Sequence, residues 1–419
     1  MRSVLLATDF LRRGKRLAPL AALLLCGSAG VAVAADAQPA PAFFSGAASR
    51  CTGNHIQCPG TNIGVPVGDY NLSLRSKADQ DLPNPYERNE TWLKMPPGKG
   101  TLGATSAITI DADGKSVWIA RRCEVNGCLG SNVDPIMKFD ENGNFVRSFG
   151  AGTMVYPHGM HVDREGNVWV ADTQSNLDRR GGQPPPAGTV PNGNQVLKFS
   201  PDGKLLLKLG TPGVYGQDET HFNQPSDVIT AANGDIFVMD GHELTTMQPR
   251  IVKYDRTGKY IKAWSLCTDG VANAPIGKAL NTDCSHGVAM DSQGRLFVAD
   301  RGNSRIVIYS QDGDKLGELK DYGRPSGIHI DANDVLYAAD STSSVVEGNA
   351  FLRGVHVGDA KTGKATAFIP DVLGNPSPWF PLRGTTGPEG VTADASGRIY
   401  VSQVAPFGQV ARYTRKPAP

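Results

Sequence analysis

One stretch, residues 284–305 (CSHGVAMDSQGRLFVADRGNSR), recurs along this chain and narrows what the rest can fold into. It opens on Ser-His-Gly and alternates through Val288 and Met290. A turn follows at Ser292-Gln293-Gly294, then an apolar run over residues 296–299 and a polar exit at Asp300-Arg301. Period-two apolar runs split by a glycine turn mark a β-hairpin. Copies begin at Tyr156, Gln224, Arg324 and Gly387, and a weaker one begins at Thr105. The copies align on the Asp (Ala231 in one copy) that closes the first strand. The slot five residues earlier then reads Ser106, His158, Ser226, His286, Ser326 and Glu389, at intervals of 52, 68, 60, 40 and 63 residues. The shortest interval is about one four-stranded blade, and the longer ones carry loop insertions. Repetition at this period, with no helical pattern between copies, predicts an all-β chain folded as a six-bladed β-propeller.

Each copy also carries a second hairpin. Residues 195–199 and 205–209 flank Ser200-Pro201-Asp202-Gly203, and residues 251–254 and 260–264 flank Arg256-Thr257-Gly258. The propeller is expected over 101–415, preceded by a partly irregular lead-in over 35–100. An open ring would leave sheet edges unpaired. Closure is therefore expected from a C-terminal strand at 409–413 and an N-terminal piece, either Tyr70-Asn71-Leu72 or Thr91-Trp92-Leu93.

Residues 1–34 have the layout of an export signal. Arg2, Arg12, Arg13, Lys15 and Arg16 are basic, 17–25 is an apolar core too short to span a bilayer, and Ala32-Val33-Ala34 offers a small-x-small cleavage site. Arg12-Arg13 also admits the twin-arginine route. Cleavage after Ala34 leaves 37 basic and 40 acidic residues from the 42 and 41 of the whole chain, a charge of −3. No basic surface suited to nucleic acid is implied. The expected product is an exported monomer, periplasmic or secreted, without a membrane anchor. Its six cysteines fall as near neighbours, and in an exported chain they are expected to pair as Cys51–Cys58, Cys123–Cys128 and Cys267–Cys284.

The chemistry lies in the slot. Successive blades of a six-bladed ring turn by about 60°, so equivalent positions on alternate blades form a triangle around the axis. Blades two, four and six supply His158, His286 and Glu389, and the others supply Ser. Two imidazoles and a carboxylate converging on one axis make a three-ligand zinc site with an open position. Either histidine alone would read as a turn residue bonding strand ends. Only 8 residues of 419 are histidine, and two fall in equivalent slots two blades apart. A second ring stands at the strand exits: Arg122, Asp172, Asp240, Asp300-Arg301 and Asp340. The aspartates read as turn caps. Arg122 and Arg301 suit a substrate carboxylate or a developing oxyanion. His242, after Asp240-Gly241, is a further site candidate. His161, His329 and His356 read as structural.

These motifs resemble the peptidyl-α-hydroxyglycine α-amidating lyases, six-bladed propellers of the NHL-repeat type. The likeness is strongest in PHGMHVDREGNVWVAD, in GDIFVMDG with RIVKYDRTGKYIKAW, and in SHGVAMD with LFVADRGNSRI. It implies a zinc held by three histidines, two of which correspond to His158 and His286 while Glu389 stands for the third. It implies two catalytic arginines at Arg122 and Arg301. The family's catalytic tyrosine falls on His242, so the base would be His242 or a metal-bound hydroxide. Gly390 replaces an aspartate of its calcium site. The implied reaction splits the C–N bond of a carbinolamide, a small or peptide-derived substrate. A lactonase-like metal hydrolase and a non-catalytic binding propeller are the alternatives. The first calls for an acidic, amide-rich axial set, whereas these slots hold Ser and His.

Overall fold

The computed structural model describes residues 82–177, 187–242, 248–266, 286–343, 351–371, 387–404 and 409–417. They belong to one compact unit, Gly46–Pro419; the other unit, Met1–Ser45, lies outside the described residues. So do Cys51, Cys58, Cys267 and Cys284, the expected signal, and Tyr70-Asn71-Leu72.

The described residues form a six-bladed β-propeller of four-stranded antiparallel sheets. β1 is Tyr86–Asn89. Blade one holds β2 (Thr105–Ile110), β3 (Val117–Arg121), β4 (Ile136–Phe139) and β5 (Phe145–Phe149). Blade two holds β6 (Pro157–Val162), β7 (Val168–Ser175), β8 (Gly193–Phe199) and β9 (Leu205–Leu209). Blade three holds β10 (Pro225–Thr230), β11 (Ile236–Asp240), β12 (Arg250–Tyr254) and β13 (Tyr260–Ser265). Blade four holds β14 (Val288–Met290), β15 (Leu296–Asp300), β16 (Arg305–Tyr309) and β17 (Lys315–Leu319). Blade five holds β18 (Pro325–Ile330), β19 (Val335–Asp340), β20 (Gly354–Asp359) and β21 (Ala365–Pro370). Blade six orders β22 (Pro388–Ala393), β23 (Ile399–Gln403) and β24 (Val410–Arg415) with β1 outermost.

The ring thus closes through the chain's two ends, with Tyr86 opposite Arg415 and Asn89 opposite Arg412. The closing strand comes from Tyr86–Asn89 instead of Thr91-Trp92-Leu93, and the ring draws on residues ahead of position 101. Trp92 serves as packing, with its ring 5.0 Å from that of Tyr400.

Burial explains the strand patterns. β3, β11, β15 and β23 are buried at every residue, because each second strand is covered by a neighbouring blade on both faces. An outermost strand such as β9 is largely exposed. The core is correspondingly divided into six clusters, each between consecutive blades; the last joins Trp92, Tyr400 and Val410 to blade one.

The Asp that closes each first strand takes turn N–H groups and a donor from the second strand. Trp169 Nε1 reaches Asp163 at 3.0 Å, Tyr337 Oη reaches Asp331 at 3.2 Å and Tyr400 Oη reaches Asp394 at 2.9 Å. Blade four has Phe297 instead, and Arg295 Nε fills the place at 2.7 Å. Blade three has neither acceptor nor donor, only Ala231 and Phe237. A buried acceptor is present where a donor meets it, as desolvation of unpaired polar groups requires.

Candidate metal centre on the propeller axis

The slot residues sit at β-bulges. In five blades the register of the first hairpin shifts at the slot, between Thr105 and Ala107, Pro157 and Met160, Pro225 and Asp227, Pro325 and Ile328, and Pro388 and Gly390. A bulged residue leaves the ladder and its side chain is re-aimed. The glycine after the slot is a packing requirement. A Cβ on Gly159 would lie 2.5 Å from Ser226 O, one on Gly287 2.5 Å from Ser326 O, and one on Gly327 2.4 Å from Glu389 O. The inner strands therefore approach backbone to backbone around the axis. They line a partly open cavity of about 40 Å³. That is room for a few water-sized groups, at about 10–15 Å³ each.

His158, His286 and Glu389 meet at one end of this cavity, all buried. His158 Nδ1 lies 2.8 Å from Ser226 O, and His286 Nδ1 lies 3.0 Å from Ser326 O. A carbonyl only accepts, so each Nδ1 carries a proton, and in the neutral imidazole each Nε2 then presents a lone pair to the axis. These Nε2 atoms are buried with no hydrogen-bond partner. Facing them is an acceptor, Glu389 Oε1, at 3.6 Å from His158 and 3.1 Å from His286. Three acceptors turned on one another require an electrophile between them. Ser226 and Ser326, two of the three slot serines, thus have a use that slot alternation did not reveal: their carbonyls fix the Nδ1 protons of the two histidines, an outer-sphere role typical of metal-ligating imidazoles.

His242 joins this group. Its ring centroid lies 4.2 Å from that of His158 and 5.0 Å from that of His286. Ring nitrogens of His158, His242 and His286 all fall within 4.8 Å of one another. Gln224 O accepts from both Gly241 and His242 N–H, each at 3.1 Å, and Gly241 takes φ +120°, which turns the chain toward the axis. Burial lowers the His158 pKa to about 4 despite Glu389 beside it, with His286 and Arg122 adding to the depression. His242 is pushed well below its ordinary range by burial, then by His158, His286 and Arg301. Burial alone would raise Glu389, but His286, His158 and Arg301 hold it well below the usual carboxylate range. At neutral pH His158 and His242 are uncharged and Glu389 is ionised, and with His286 they form a buried donor set that suits a zinc-like cation.

The two arginines border it. Arg301, in a single 3₁₀ turn (Arg301–Asn303), places Nη1 3.9 Å from Glu389 Oε1. Arg122 is buried, with its guanidinium carbon 3.8 Å from the centroid of the Tyr156 ring and Nη1 2.8 Å from Asn126 Oδ1. The register corrects their place in the exit ring. Arg121, opposite Thr105, occupies the position of Asp172, Asp240 and Asp340, and Arg122 is the counterpart of Arg301. Arg121 bonds the carbonyls of Lys99, Thr101 and Asp134 and so pins the lead-in. The exit aspartates are caps: Asp172 accepts from Val155 and Tyr156 N–H, and Asp340 from those of Arg324 and Ser343. Cys123 and Cys128 are disulfide-bonded around the loop that carries Asn126.

Asp227 went unnoticed in the sequence, where it stands in the glycine position of the third copy. It lines the cavity, accepts from Val228 and Val288 N–H at 2.9 Å each, and is pushed up to about 7 by burial. Gly390, which the resemblance sets against a calcium-binding aspartate, has no side chain to offer, and a Cβ there would meet Ser402 Oγ at 2.6 Å.

Fold and site define a six-bladed propeller with a potential metal centre on its axis. Residues 282–309, at the fourth blade, match the NHL repeat model. The chain is 29% identical to mouse NHL repeat-containing protein 3 over 221 residues, 51% of this chain and 54% of that one. It is 28% identical to a probable peptidyl-alpha-hydroxyglycine alpha-amidating lyase of Caenorhabditis elegans over 266 residues, 62% and 65% of the two. The chain thus spans less than two thirds of the length of these relatives. Among solved structures, a gluconolactonase from Xanthomonas campestris covers 75% of this chain and 86% of its own, at 15% identity and a TM-score of 0.47.

Proposed function

We propose that this protein is a metal-dependent carbon–nitrogen lyase acting on α-hydroxyglycine-type carbinolamides, with His158, His286 and Glu389 among the ligands of a zinc-like cation. The observation that carries the reading is the pair of buried Nε2 lone pairs facing a carboxylate oxygen at 3.1 and 3.6 Å, with Arg301 beside it. The likeness to the amidating lyase supports the choice of reaction. When bound, the cation supplies Lewis-acid polarisation of the substrate hydroxyl.

This chain's residues do the rest. Arg301 and Arg122, on opposite blades of the ring, hold the substrate carboxylate through charge-assisted bonds. The carbonyls of Ser226 and Ser326 keep the histidines in the ligating tautomer. The hydroxyl proton leaves to a base, the C–N bond breaks with its electron pair on nitrogen, and nitrogen takes up a proton. One carbinolamide gives one amide and one aldehyde acid. The Cys123–Cys128 bond supports an oxidising compartment, in keeping with export.

The test is glyoxylate release from α-hydroxyhippurate by zinc-loaded protein. Arg301→Ala and Arg122→Ala should each lower kcat/KM by about ten- to a hundredfold, the value of a partly buried charge-assisted contact. No glyoxylate at any pH would overturn the lyase reading in favour of a hydrolase or a binding propeller.

A further inference from the structure

We infer that His242 is a metal ligand, which makes the donor set three imidazoles and one carboxylate and removes His242 from the base's role that the sequence suggested. The inference rests on the proposed function only for the presence of a metal. Three observations carry it.

The first is distance. The ring nitrogens of His158, His242 and His286 lie within 4.8 Å of one another; two metal–nitrogen bonds of about 2.0–2.1 Å reach at most about 4.2 Å, so side-chain shifts on the order of an ångström complete the set. The second is approach. A base that serves a substrate needs room between itself and the metal. The His242 ring instead lies edge-to-face against His158, at 4.2 Å and 64°, and only 5.0 Å from His286. The third is fixation. Both backbone N–H groups at 241–242 hang on Gln224 O, and a Cβ on Gly241 would lie 2.9 Å from Pro249 Cα. The chain is held where it delivers this ring, as a preorganised ligand requires. Blade three, whose slot holds only Ser226, thereby contributes to the centre from its exit instead.

A four-donor set also changes what the site can accept. Every added protein ligand takes a coordination position from substrate or water. The substrate is therefore expected to enter as an extra ligand at an expanded coordination number, which favours small, weakly hindered hydroxyl groups.

The experiment is metal titration of the full chain, with zinc affinity read by chelator competition and cobalt(II) as the spectroscopic probe. His242→Ala should weaken zinc binding by more than about a hundredfold, beyond what loss of an outer-sphere partner brings. It should also alter the visible cobalt spectrum. His161→Ala, at the far end of the channel, should change neither. His242→Cys guards against misfolding: if position 242 touches the metal, cobalt-loaded H242C shows a thiolate-to-cobalt charge-transfer band. Wild-type zinc affinity in His242→Ala, or bound cobalt without that band in H242C, would overturn the inference and leave the lyase reading standing. A wild-type chain that binds no divalent cation would overturn both.

Discussion

The two ends of the axial channel hold the same residue type in opposite circumstances. At one end, His158 Nε2 meets no hydrogen-bond donor and faces a carboxylate. Three residues along the same strand, His161 Nε2 lies 2.9 Å from Thr230 Oγ1. His329, from the opposite blade, borders that second end with its ring centroid 6.0 Å from that of Tyr337, the two planes tilted by 33°. A satisfied imidazole contributes packing and a hydrogen bond. A buried imidazole left with a lone pair against another acceptor is destabilising until a cation or proton arrives. The difference lies in the partner, and it separates a proposed ligand from a structural residue more sharply than burial does.

The strongest way to break this comparison is to delete the unsatisfied pair. The double variant His158→Ala, His286→Ala is expected to lose metal altogether, read by elemental analysis after gel filtration, whereas His161→Ala retains it. Full metal content in the double variant would erase the distinction between the two ends.

A smaller effect sharpens the role of the backbone. Gly159→Ala places a methyl 2.5 Å from Ser226 O, the carbonyl that holds His158. Overpacking of this kind costs typically about 1–3 kcal/mol. It should appear in urea melts together with weaker metal binding, since the same carbonyl orients the ligand. Gly397→Ala, with nothing within 4 Å but φ +79°, should cost stability without touching the metal.

The satisfied end makes the smallest prediction. Burial lowers the pKa of both His161 and His329 from 6.5 to about 4. With folded values below unfolded ones, their contribution is present in full above pH 6.5 and is lost as pH falls toward 4. Both rings are only partly covered, so the expected loss is on the order of 1–3 kcal/mol for the pair. In metal-free protein His158 and His242 titrate in the same direction, so the share of His161 is read as the part of the stability difference between pH 7.5 and 5 that His161→Gln removes. An unchanged slope in that variant would place the titration elsewhere.

The sequence carried the repeat, the slot and the blade count because period-two strands, glycine turns and the closing Asp are local signals that recur. Pro157-His158-Gly159, Pro325-Ser326-Gly327 and Pro388-Glu389-Gly390 even announce the bulge, once the strand-opening proline and the glycine are read as its marks. His158, His286 and Glu389 were legible for the same reason: sixfold symmetry turns sequence spacing into spatial position.

What breaks the symmetry was legible only in part: His242 stood out as a candidate, but its partners did not. Tyr86-Glu87-Arg88-Asn89 is too short and too polar to announce a strand, and it becomes one because β24 leaves an edge to pair. Arg121 and Arg122 are adjacent arginines in the sequence. Register alone sends the first to pin the lead-in and the second to the counterpart of Arg301. His242 lies outside the repeat's register, and its approach to His158 depends on a turn at Gly241 fastened to Gln224 of the preceding loop. Local periodicity determined the ring. Which lone pairs face one another across its axis was decided by strand register, bulges and loop closure, because those contacts join residues 68 to 231 positions apart in the chain, such as His158 with Ser226 and with Glu389.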